Sequence, residues 1–368
     1  MSMQSASGAG SPSAFIRSLP KAELHLHLEG TVTPETLSLL SQRHPTPLEP
    51  NHNRYKDVSD SGRVLSVDDA RAIYKYTDFG GFLLAFKAVT ERMRDAADYE
   101  LVTYEMMRQL HAESVLHAEV YVSVGVVHWR GHEFEPLFEG MERGRKRGEG
   151  DFGVSILWIF DAVRHFGPDE AMIVVNTAVK FRDRNVVGIG IGGDERRAAP
   201  ELFREVYEHA AEQGLRLTAH AGESVGPESI WGAINDLHAE RIGHGLHAWQ
   251  DEELVRELGR RRIAIEACIS SNVLTGCCLG MEQHPVRRYF DAGLVVTLNT
   301  DDPAMFHTTL TREYQLAQDV FKFTNEELTQ LARNSFLASF LPEERKNEFL
   351  MTLNGQGKNV EQVLNRNS

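Results

Sequence analysis

The sequence predicts an α/β protein, a (β/α)8 TIM barrel with a helical insertion after its first strand. Short runs of apolar, β-branched residues recur along the chain, and amphipathic segments with helical spacing separate them. Strands that alternate with helices in this way form parallel βαβ units. Eight such units fit a closed barrel better than an open sheet, and no Gly-x-Gly-x-x-Gly turn follows the first strand to indicate a dinucleotide site.

The strands are predicted from their apolar runs, and the helices from their periodicity and from the residues that begin and end them. The eight predicted strands are Ala22–Leu28, His117–Ser123, Val154–Phe160, Val186–Ile191, Leu215–Ala219, Arg241–His244, Ile263–Cys268 and Leu294–Leu298. The clearest predicted helices are Pro200–Gln213, Gly226–His238, Asp251–Gly259 and Gln283–Ala292, with a closing helical segment over Thr311–Phe340.

The connection after the first strand, from about Gly30 to Leu116, is much longer than the others. Within it, the apolar side chains of Phe79, Phe82, Leu83 and Phe86 recur at helical spacing. They form either the buried face of an ordinary helix or a helical lid over the mouth of the barrel, where long insertions often cover a site.

Length and composition are those of an ordinary soluble domain of 368 residues, 42% hydrophobic and 25% charged. We expect one barrel domain over residues 15–353, a disordered tail over 1–14 and a polar C-terminal tail over 354–368. The first tail lacks the apolar stretch of a signal peptide. Three cysteines offer no disulfide framework, which favours the cytoplasm.

The formal net charge of −14 is spread along the chain. Nucleic acids and anionic membranes bind clustered lysine and arginine, so neither is an expected partner. No run approaches the length of a membrane-spanning segment. The expected partner is therefore a small molecule, and the oligomeric state is left open.

Two histidines at the end of the first strand are the first candidate metal ligands. His25 and His27 are two residues apart, so their side chains project from the same side of a strand. Paired imidazoles can hold a metal ion, although one such pair is weak evidence.

Further metal-binding side chains lie where other strands end. His220, His244 and Asp301 follow the fifth, sixth and eighth strands, and that end of a barrel carries the chemistry in enzymes of this fold. Three imidazoles and a carboxylate suit one Zn²⁺ and leave room for a water molecule. A second metal ion is not expected, because the fourth strand ends without a lysine to bridge two ions.

Several segments together resemble the adenosine deaminase family of the amidohydrolase superfamily. The resemblance covers about Pro20 to Phe340, and it is carried by Pro20–Gly30, His220-Ala221-Gly222-Glu223, Ile242-Gly243-His244-Gly245, Ser270-Ser271-Asn272 and Asn299-Thr300-Asp301-Asp302-Pro303. It implies a zinc-dependent barrel enzyme that converts a 6-aminopurine to a 6-oxopurine and ammonia.

The resemblance also implies a role for each matching residue. His25, His27, His220 and Asp301 would hold one Zn²⁺ per chain. Glu223 would protonate N1 of the purine, and His244 would orient and deprotonate the attacking water. Asp302 would hydrogen-bond N7, and the main-chain N–H of Gly193 would meet N3. A buried Glu223 with a raised pKa is expected, because the acid must be protonated near neutral pH.

One position departs from the pattern of adenosine deaminases proper. Glu29 stands where they carry an aspartate that contacts the ribose 5′-hydroxyl, and the family's adenine and aminodeoxyfutalosine deaminases more often show His-Leu-Glu-Gly here. The Gly193-Asp194-Glu195 end of the fourth strand favours a nucleoside over free adenine. Arg164 is a candidate for binding a substrate carboxylate, or else a surface arginine that begins a helix.

The predicted function is therefore deamination of a 6-aminopurine nucleoside, either adenosine or aminodeoxyfutalosine. The alternatives are an adenine deaminase and another mononuclear-metal amidohydrolase that opens a cyclic amide or a lactone. A catalytically inactive purine-binding relative is the non-enzymatic alternative, and a full set of acid–base residues opposes it.

Overall fold

The structure is a computed structural model that describes residues 12–45, 64–76 and 78–364. Eight parallel strands pair in chain order. Their bounds are β1 Lys21–His27, β2 Val115–Val122, β3 Ser155–Val163, β4 Val186–Gly192, β5 Arg216–Ala221, β6 Arg241–His244, β7 Ala264–Ala267 and β8 Val296–Leu298. The predicted (β/α)8 barrel is confirmed, and every predicted strand overlaps an observed one.

The barrel closes between β8 and β1 through the chain that follows β8. The Asp301 N–H donates to the His25 carbonyl at 3.0 Å, and the His27 N–H donates to the Asp301 carbonyl at 2.9 Å. One level lower, the Asn299 side-chain oxygen accepts from the Leu24 N–H at 2.8 Å. This closure sets three candidate metal ligands side by side at the C-terminal end of the barrel.

Helices surround the barrel. In the described residues they are α1 Ala14–Ser18, α2 Pro34–Arg43, α3 Val67–Ile73, α4 Phe79–Thr90, α5 Ala96–Ala112, α6 Val124–Trp129, α7 Phe134–Phe152, α8 Pro168–Phe181, α9 Arg204–Glu212, α10 Pro227–Asn235, α11 Glu252–Arg261, α12 Ile269–Leu274, α13 Val286–Asp291, α14 Leu310–Asp319, α15 Asn325–Ala338 and α16 Glu343–Leu364. The predicted segment 311–340 is two helices, because Lys322 adopts φ +59° and Thr324 caps a new helix.

The helical insertion predicted between β1 and β2 is present as α2, α3 and α4, before the barrel helix α5. Asp78 begins α4 by accepting a hydrogen bond from the Gly81 N–H at 2.7 Å, which satisfies a free amide of the first turn. The Phe82 ring stacks on Phe306 with centroids 4.9 Å apart. Since Phe306 follows β8, this contact holds α4 over the C-terminal end of the barrel.

The chain ends differ in part from the sequence prediction. α1 begins at Ala14 with Ser13 as its cap, and residues 1–11 of the predicted tail lie outside the described residues. α16 continues to Leu364, beyond the domain end predicted at residue 353. Leu353 is buried against the core, which explains why the helix does not end there. No helix in the described ranges is both long and apolar enough to cross a membrane.

Candidate active site

A cavity of about 420 Å³ opens at the C-terminal ends of the strands. Most of the predicted site residues line it, namely His27, Gly193, His220, Glu223, His244, Asp301 and Asp302. All four apolar residues predicted on the insertion, Phe79, Phe82, Leu83 and Phe86, form a wall of the same cavity. His25 lies beneath it and is fully buried.

The side chains of the predicted metal ligands converge on one point. The Asp301 Oδ1 atom lies 3.4 Å from His25 Nε2 and 3.3 Å from His27 Nε2, and the two Nε2 atoms of His27 and His220 are 3.1 Å apart. Zinc–nitrogen bonds of about 2.0–2.1 Å in a tetrahedral site place neighbouring ligand atoms about 3.4 Å apart. These three separations match that spacing, and His25, His220 and Asp301 belong, with His244, to one buried group whose possible ligand atoms all lie within 4.8 Å of one another.

Hydrogen bonds at Nδ1 orient the rings of His25 and His220, so that their Nε2 atoms face the point where the side chains converge. His25 Nδ1 donates to Glu266 at 2.8 Å, and His220 Nδ1 donates to the Ile191 carbonyl at 3.1 Å. In the neutral ring each Nε2 then carries the lone pair, and His25 Nε2 is a buried atom without a hydrogen-bond partner. Such outer hydrogen bonds are typical of metal-binding histidines.

The pKa values of the three histidines favour a positive charge beside His25. Burial lowers the pKa of His27 to about 4 and that of His220 well below its usual value, so both rings are neutral and able to bind a metal ion. Burial also disfavours charge on His25, but the carboxylates of Asp301 and Glu266 outweigh it and raise the pKa to about 10. A metal ion at Nε2 would supply the positive charge that the two carboxylates favour.

Glu266 is itself held by a buried arginine inside the barrel. Arg241 forms ion pairs with both Glu266 and Glu119, and its guanidinium lies over the Phe340 ring at 3.9 Å. Burial alone would raise the pKa of Glu266, but Arg241 and His25 keep it lowered. Glu266 is therefore a carboxylate that orients His25.

Glu223 lies in the turn after β5 with its carboxyl group facing the cavity. Burial, followed by the nearby charges of Asp301 and Glu195, raises the pKa of Glu223 to about 8. At neutral pH the group is a carboxylic acid and can donate a proton, as the resemblance implied.

Glu195, which the sequence did not single out as a site residue, holds this turn in place. Its carboxylate accepts hydrogen bonds from the main-chain N–H groups of Gly222 at 2.7 Å, Glu223 at 2.9 Å and Ser224 at 2.7 Å. The Ser229 hydroxyl donates to it as well, at 2.6 Å. A carboxylate with several main-chain donors is a strong local constraint, so Glu195 positions the proton donor.

A chain of hydrogen bonds determines which nitrogen of His244 carries the proton. The Val286 main-chain N–H can only donate, so His284 accepts at Nδ1 (3.3 Å) and carries its proton on Nε2. His284 Nε2 donates to Asn272 Oδ1 at 3.1 Å, and Asn272 Nδ2 then donates to His244 Nδ1 at 3.0 Å. Burial lowers the pKa of His244 to about 4, so the ring is neutral, with its proton on Nε2.

This tautomer changes the role expected of His244. The Nε2 atom lies 3.8 Å from the Glu223 carboxylate, and as an N–H it is a hydrogen-bond donor. The arrangement suits a residue that orients an oxygen atom, and it opposes one that removes a proton at Nε2.

Asp302 and Gly193 line the cavity on either side of these groups. Burial, and then the charge of Asp301, raises the pKa of Asp302 well above its usual value, so it can donate a hydrogen bond. A Cβ at Gly30 would meet Asp302 Oδ1 at 2.2 Å, so only glycine fits there. Gly193 adopts φ +90°, a conformation that favours glycine.

Comparison with known proteins agrees with this geometry. The family model described as adenosine deaminase matches residues 20–355. The aminodeoxyfutalosine deaminase of Streptomyces avermitilis is 36% identical over 330 residues, which cover 89% of this chain and 88% of that protein. This chain belongs to the adenosine deaminase family. It is a hydrolytic deaminase of the amidohydrolase type, and the family acts on aminopurines.

Two solved structures share the fold over nearly the whole chain. The adenine deaminase of Arthrobacter aurescens superposes with a TM-score of 0.83 at 30% identity, over 92% of this chain and 99% of that one. An amidohydrolase of Burkholderia ambifaria with bound zinc gives a TM-score of 0.83 at 26% identity, over 98% and 97% of the two chains.

Within this deaminase fold, Glu29 lies behind the cavity wall and does not line the main cavity. One of its carboxylate oxygens accepts from the Ser123 N–H at 3.0 Å, and the other is buried without a partner among the described residues. Burial raises the pKa of Glu29 to about 7. It borders a small side cavity that also touches Arg130, and the expected contact with the ribose stays a prediction.

The prediction that Arg164 binds a substrate carboxylate needs correction, and so does the alternative of a surface arginine. Arg164 is fully buried. Its guanidinium donates to the main-chain carbonyls of Ala198 and His220. β3 continues to Val163, so Arg164 directly follows the strand. Its side chain does not line the cavity, and its hydrogen bond to the His220 carbonyl stabilises the end of β5.

Asp161 is a cavity residue that sequence reasoning missed. It lies near the end of β3, buried and facing the cavity, and burial raises its pKa well above the usual value. A Cβ on residue 190 would lie only 2.6 Å from Asp161 Oδ1, so Gly190 leaves the room that this carboxylate occupies. The sequence signal that could have found Asp161 is a carboxylate near the end of a barrel strand. It was missed because the third strand was predicted to end at Phe160, one residue before it.

Proposed function

We propose that this enzyme uses one zinc ion to deaminate a 6-aminopurine nucleoside, giving the 6-oxopurine and ammonia. The observation that carries the proposal is the pairing, in one cavity, of a four-ligand cluster around an unpartnered His25 Nε2 with a carboxylic acid, Glu223, that is protonated at neutral pH.

His25, His27, His220 and Asp301 would hold the metal, and their donor set of three imidazoles and one carboxylate suits zinc. When bound, zinc would supply the acidity that makes a water molecule nucleophilic near neutral pH. The zinc-bound relative from Burkholderia ambifaria supports the choice of this metal.

Three groups would bind the purine and activate it. Glu223 would give its proton to N1, which draws electrons from C6 and favours attack there. Asp302, as a neutral acid, would donate to N7. The Gly193 main-chain N–H would donate to N3, since all three groups line one cavity.

His244 would orient the attacking oxygen through its Nε2 proton. The hydrogen-bond chain from Val286 through His284 and Asn272 maintains that proton. A donor placed where negative charge develops stabilises the transition state.

A nucleoside fits the cavity better than a free base. About 420 Å³ lies in the range of sites for drug-sized ligands, and the α4 wall extends the cavity beyond the ring-binding groups. Free adenine is the second candidate, favoured by the likeness to the adenine deaminase of Arthrobacter aurescens.

Steady-state kinetics with adenosine, adenine and aminodeoxyfutalosine test this proposal, with ammonia release as the readout. We expect the highest kcat/KM for a nucleoside. Turnover of adenine alone would contradict the nucleoside assignment, and turnover of a cyclic amide without release of ammonia from any aminopurine would contradict the deaminase assignment.

A further inference from the structure

The carboxyl group of Glu223 has few partners, although the turn that carries it is firmly held. Glu195 fixes the main chain of that turn through three N–H groups. At the end of the side chain, the only hydrogen bond within the described ranges comes from the thiol of Cys277, whose Sγ atom lies 3.9 Å from Glu223 Oε1. The other oxygen, Oε2, lies 3.8 Å from His244 Nε2, which is too long for a hydrogen bond. The two oxygens of the proton donor therefore have different surroundings.

Cys277 reaches Glu223 because of the turn that ends α12. Gly276 follows this helix with φ +78°, a left-handed conformation that glycine adopts without strain. The Cys278 N–H then donates to the Asn272 carbonyl at 2.7 Å. The backbone on both sides of Cys277 thus determines where its thiol lies.

The thiol of Cys277 is a hydrogen-bond donor at neutral pH. Burial, followed by the nearby charge of Glu223, raises the pKa of Cys277 to about 12, so the sulfur keeps its proton. A thiol is a weak donor. Its acceptor here is a buried carboxyl oxygen, and a hydrogen bond in such surroundings is electrostatically stronger than in water.

Cys277 acts from outside the substrate cavity. Its side chain does not line the main cavity, whereas Glu223 and Thr275 do. A substrate in that cavity therefore meets Glu223 and not the thiol, so any effect of Cys277 on the reaction passes through the carboxyl group of Glu223.

We propose that Cys277 is a positioning residue that determines which oxygen of Glu223 carries the acidic proton. A carboxylic acid holds its proton on one oxygen and accepts hydrogen bonds at the other. Because the thiol donates to Oε1, the proton resides on Oε2, on the side of His244. This inference rests on the proposed deaminase function and adds a residue to its proton transfer.

The same hydrogen bond would assist the transfer itself. As the Oε2–H bond breaks and the N1–H bond forms, negative charge develops on the Glu223 carboxylate. The thiol already faces Oε1 and stabilises that charge without a rearrangement, which lowers the barrier.

Substitutions of Cys277 test this role in the zinc-loaded enzyme, with the aminopurine that the wild type turns over best. Cys277→Ala removes the donor, and Cys277→Val removes it while filling the space of the sulfur. We expect kcat to fall about three- to tenfold in both variants, the range of one hydrogen bond, with KM and zinc content near wild type. Cys277→Ser keeps a donor on the same carbon and should recover at least part of the loss.

The adjacent cysteine supplies the matched control. Cys278 is buried, and its thiol donates to the Gly280 carbonyl at 3.3 Å. Cys278→Ala removes a thiol from the same turn and should leave kcat unchanged. A general loosening of the turn would lower kcat in this variant as well.

A double mutant separates the proposed role from a structural one. Glu223→Gln has no acidic proton to place, so Cys277→Ala should cause little further loss of the single-turnover rate in that background. The two changes are then non-additive, as expected for residues that act together. A structural role would lower the rate by the same factor in both backgrounds.

Wild-type kcat in both Cys277→Ala and Cys277→Val would overturn the inference, as would an equal loss in Cys278→Ala. Full additivity with Glu223→Gln would overturn it too, and so would a Cys277→Ser variant no faster than Cys277→Ala. In each of these cases the wild-type enzyme still releases ammonia from an aminopurine, so only this inference fails. If the wild type deaminates no aminopurine, the proposed function fails with it.

Discussion

His25 lies between the carboxylates of Asp301 and Glu266, and this position limits what its ring can do. One nitrogen donates to Glu266, while the other is buried without a partner. An unsatisfied buried nitrogen is expensive, so the site favours either a proton or a metal ion there. The lone pair that His220 directs toward the same point favours the metal.

Glu223→Gln should abolish turnover and keep zinc. The amide cannot deliver a proton to N1, and we expect kcat to fall by about three orders of magnitude, in the range of general acid catalysis. Steady-state kinetics and metal analysis of the purified variant measure both effects. Glu228→Gln, at an exposed position on α10, is the control. A kcat near wild type in Glu223→Gln would exclude Glu223 as the proton donor.

The rate should fall as pH rises, because Glu223 must be protonated to act. Its pKa is raised to about 8, and a bound cation can only lower that value, so kcat/KM should decline with a pKa at or below about 8. A pH–rate profile measured with adenosine tests this. A profile that stays flat up to pH 10 would show that no acid of this kind takes part.

Asn272→Asp tests the direction of the His244 hydrogen bonds. A carboxylate at this position accepts from His244 Nδ1, so the ring loses its Nε2 proton. If His244 acts as a donor, kcat should fall at least about tenfold with little change in zinc content. Unchanged or faster turnover in Asn272→Asp would instead indicate a base at Nε2. Asn235→Asp, at the end of α10, is the control for the added charge.

The turn between β5 and α10 carries Glu223, and Glu195 organises it from the end of β4. In Glu195→Gln the new amide nitrogen faces main-chain N–H donors, and at least one hydrogen bond is lost. We expect the free energy of unfolding to fall by about 1–3 kcal/mol and kcat to fall more than zinc content. Glu201→Gln, an exposed change, is the control. Equal losses of zinc and activity would mean that Glu195 acts only on the metal ligands.

Two residues of the site have backbone conformations that are unusual for their type. His244 has φ +63° and Asp301 has φ +66°, and each stands where a barrel strand ends. Strain of this kind persists only where surrounding contacts hold it. For Asp301, those contacts are the main-chain hydrogen bonds to His25 and His27, which also close the barrel.

At the level of the whole chain, alternating strands and helices sufficed to predict the barrel. The ends of its strands then predicted His25, His27, His220 and Asp301 as a cluster. This worked because strand ends in a barrel meet at one rim, so position along the chain gives position in space.

Residues away from the strand ends could not be placed in this way. Arg164 lies one residue past β3, and whether it faces the cavity or the barrel wall depends on where the strand stops. Arg130 reaches the cavity only because α4 and α6 pack over the rim. Such contacts between separate segments leave no periodic pattern in the sequence.

Zinc content and turnover measured on the same preparations test the central claim most directly. Metal-free enzyme is titrated with zinc, and ammonia release from adenosine is followed. We predict that activity rises in proportion to bound zinc and levels off at one ion per chain. Full activity in the metal-free enzyme would contradict the zinc-dependent mechanism, and so would an enzyme that holds one zinc per chain and deaminates no aminopurine.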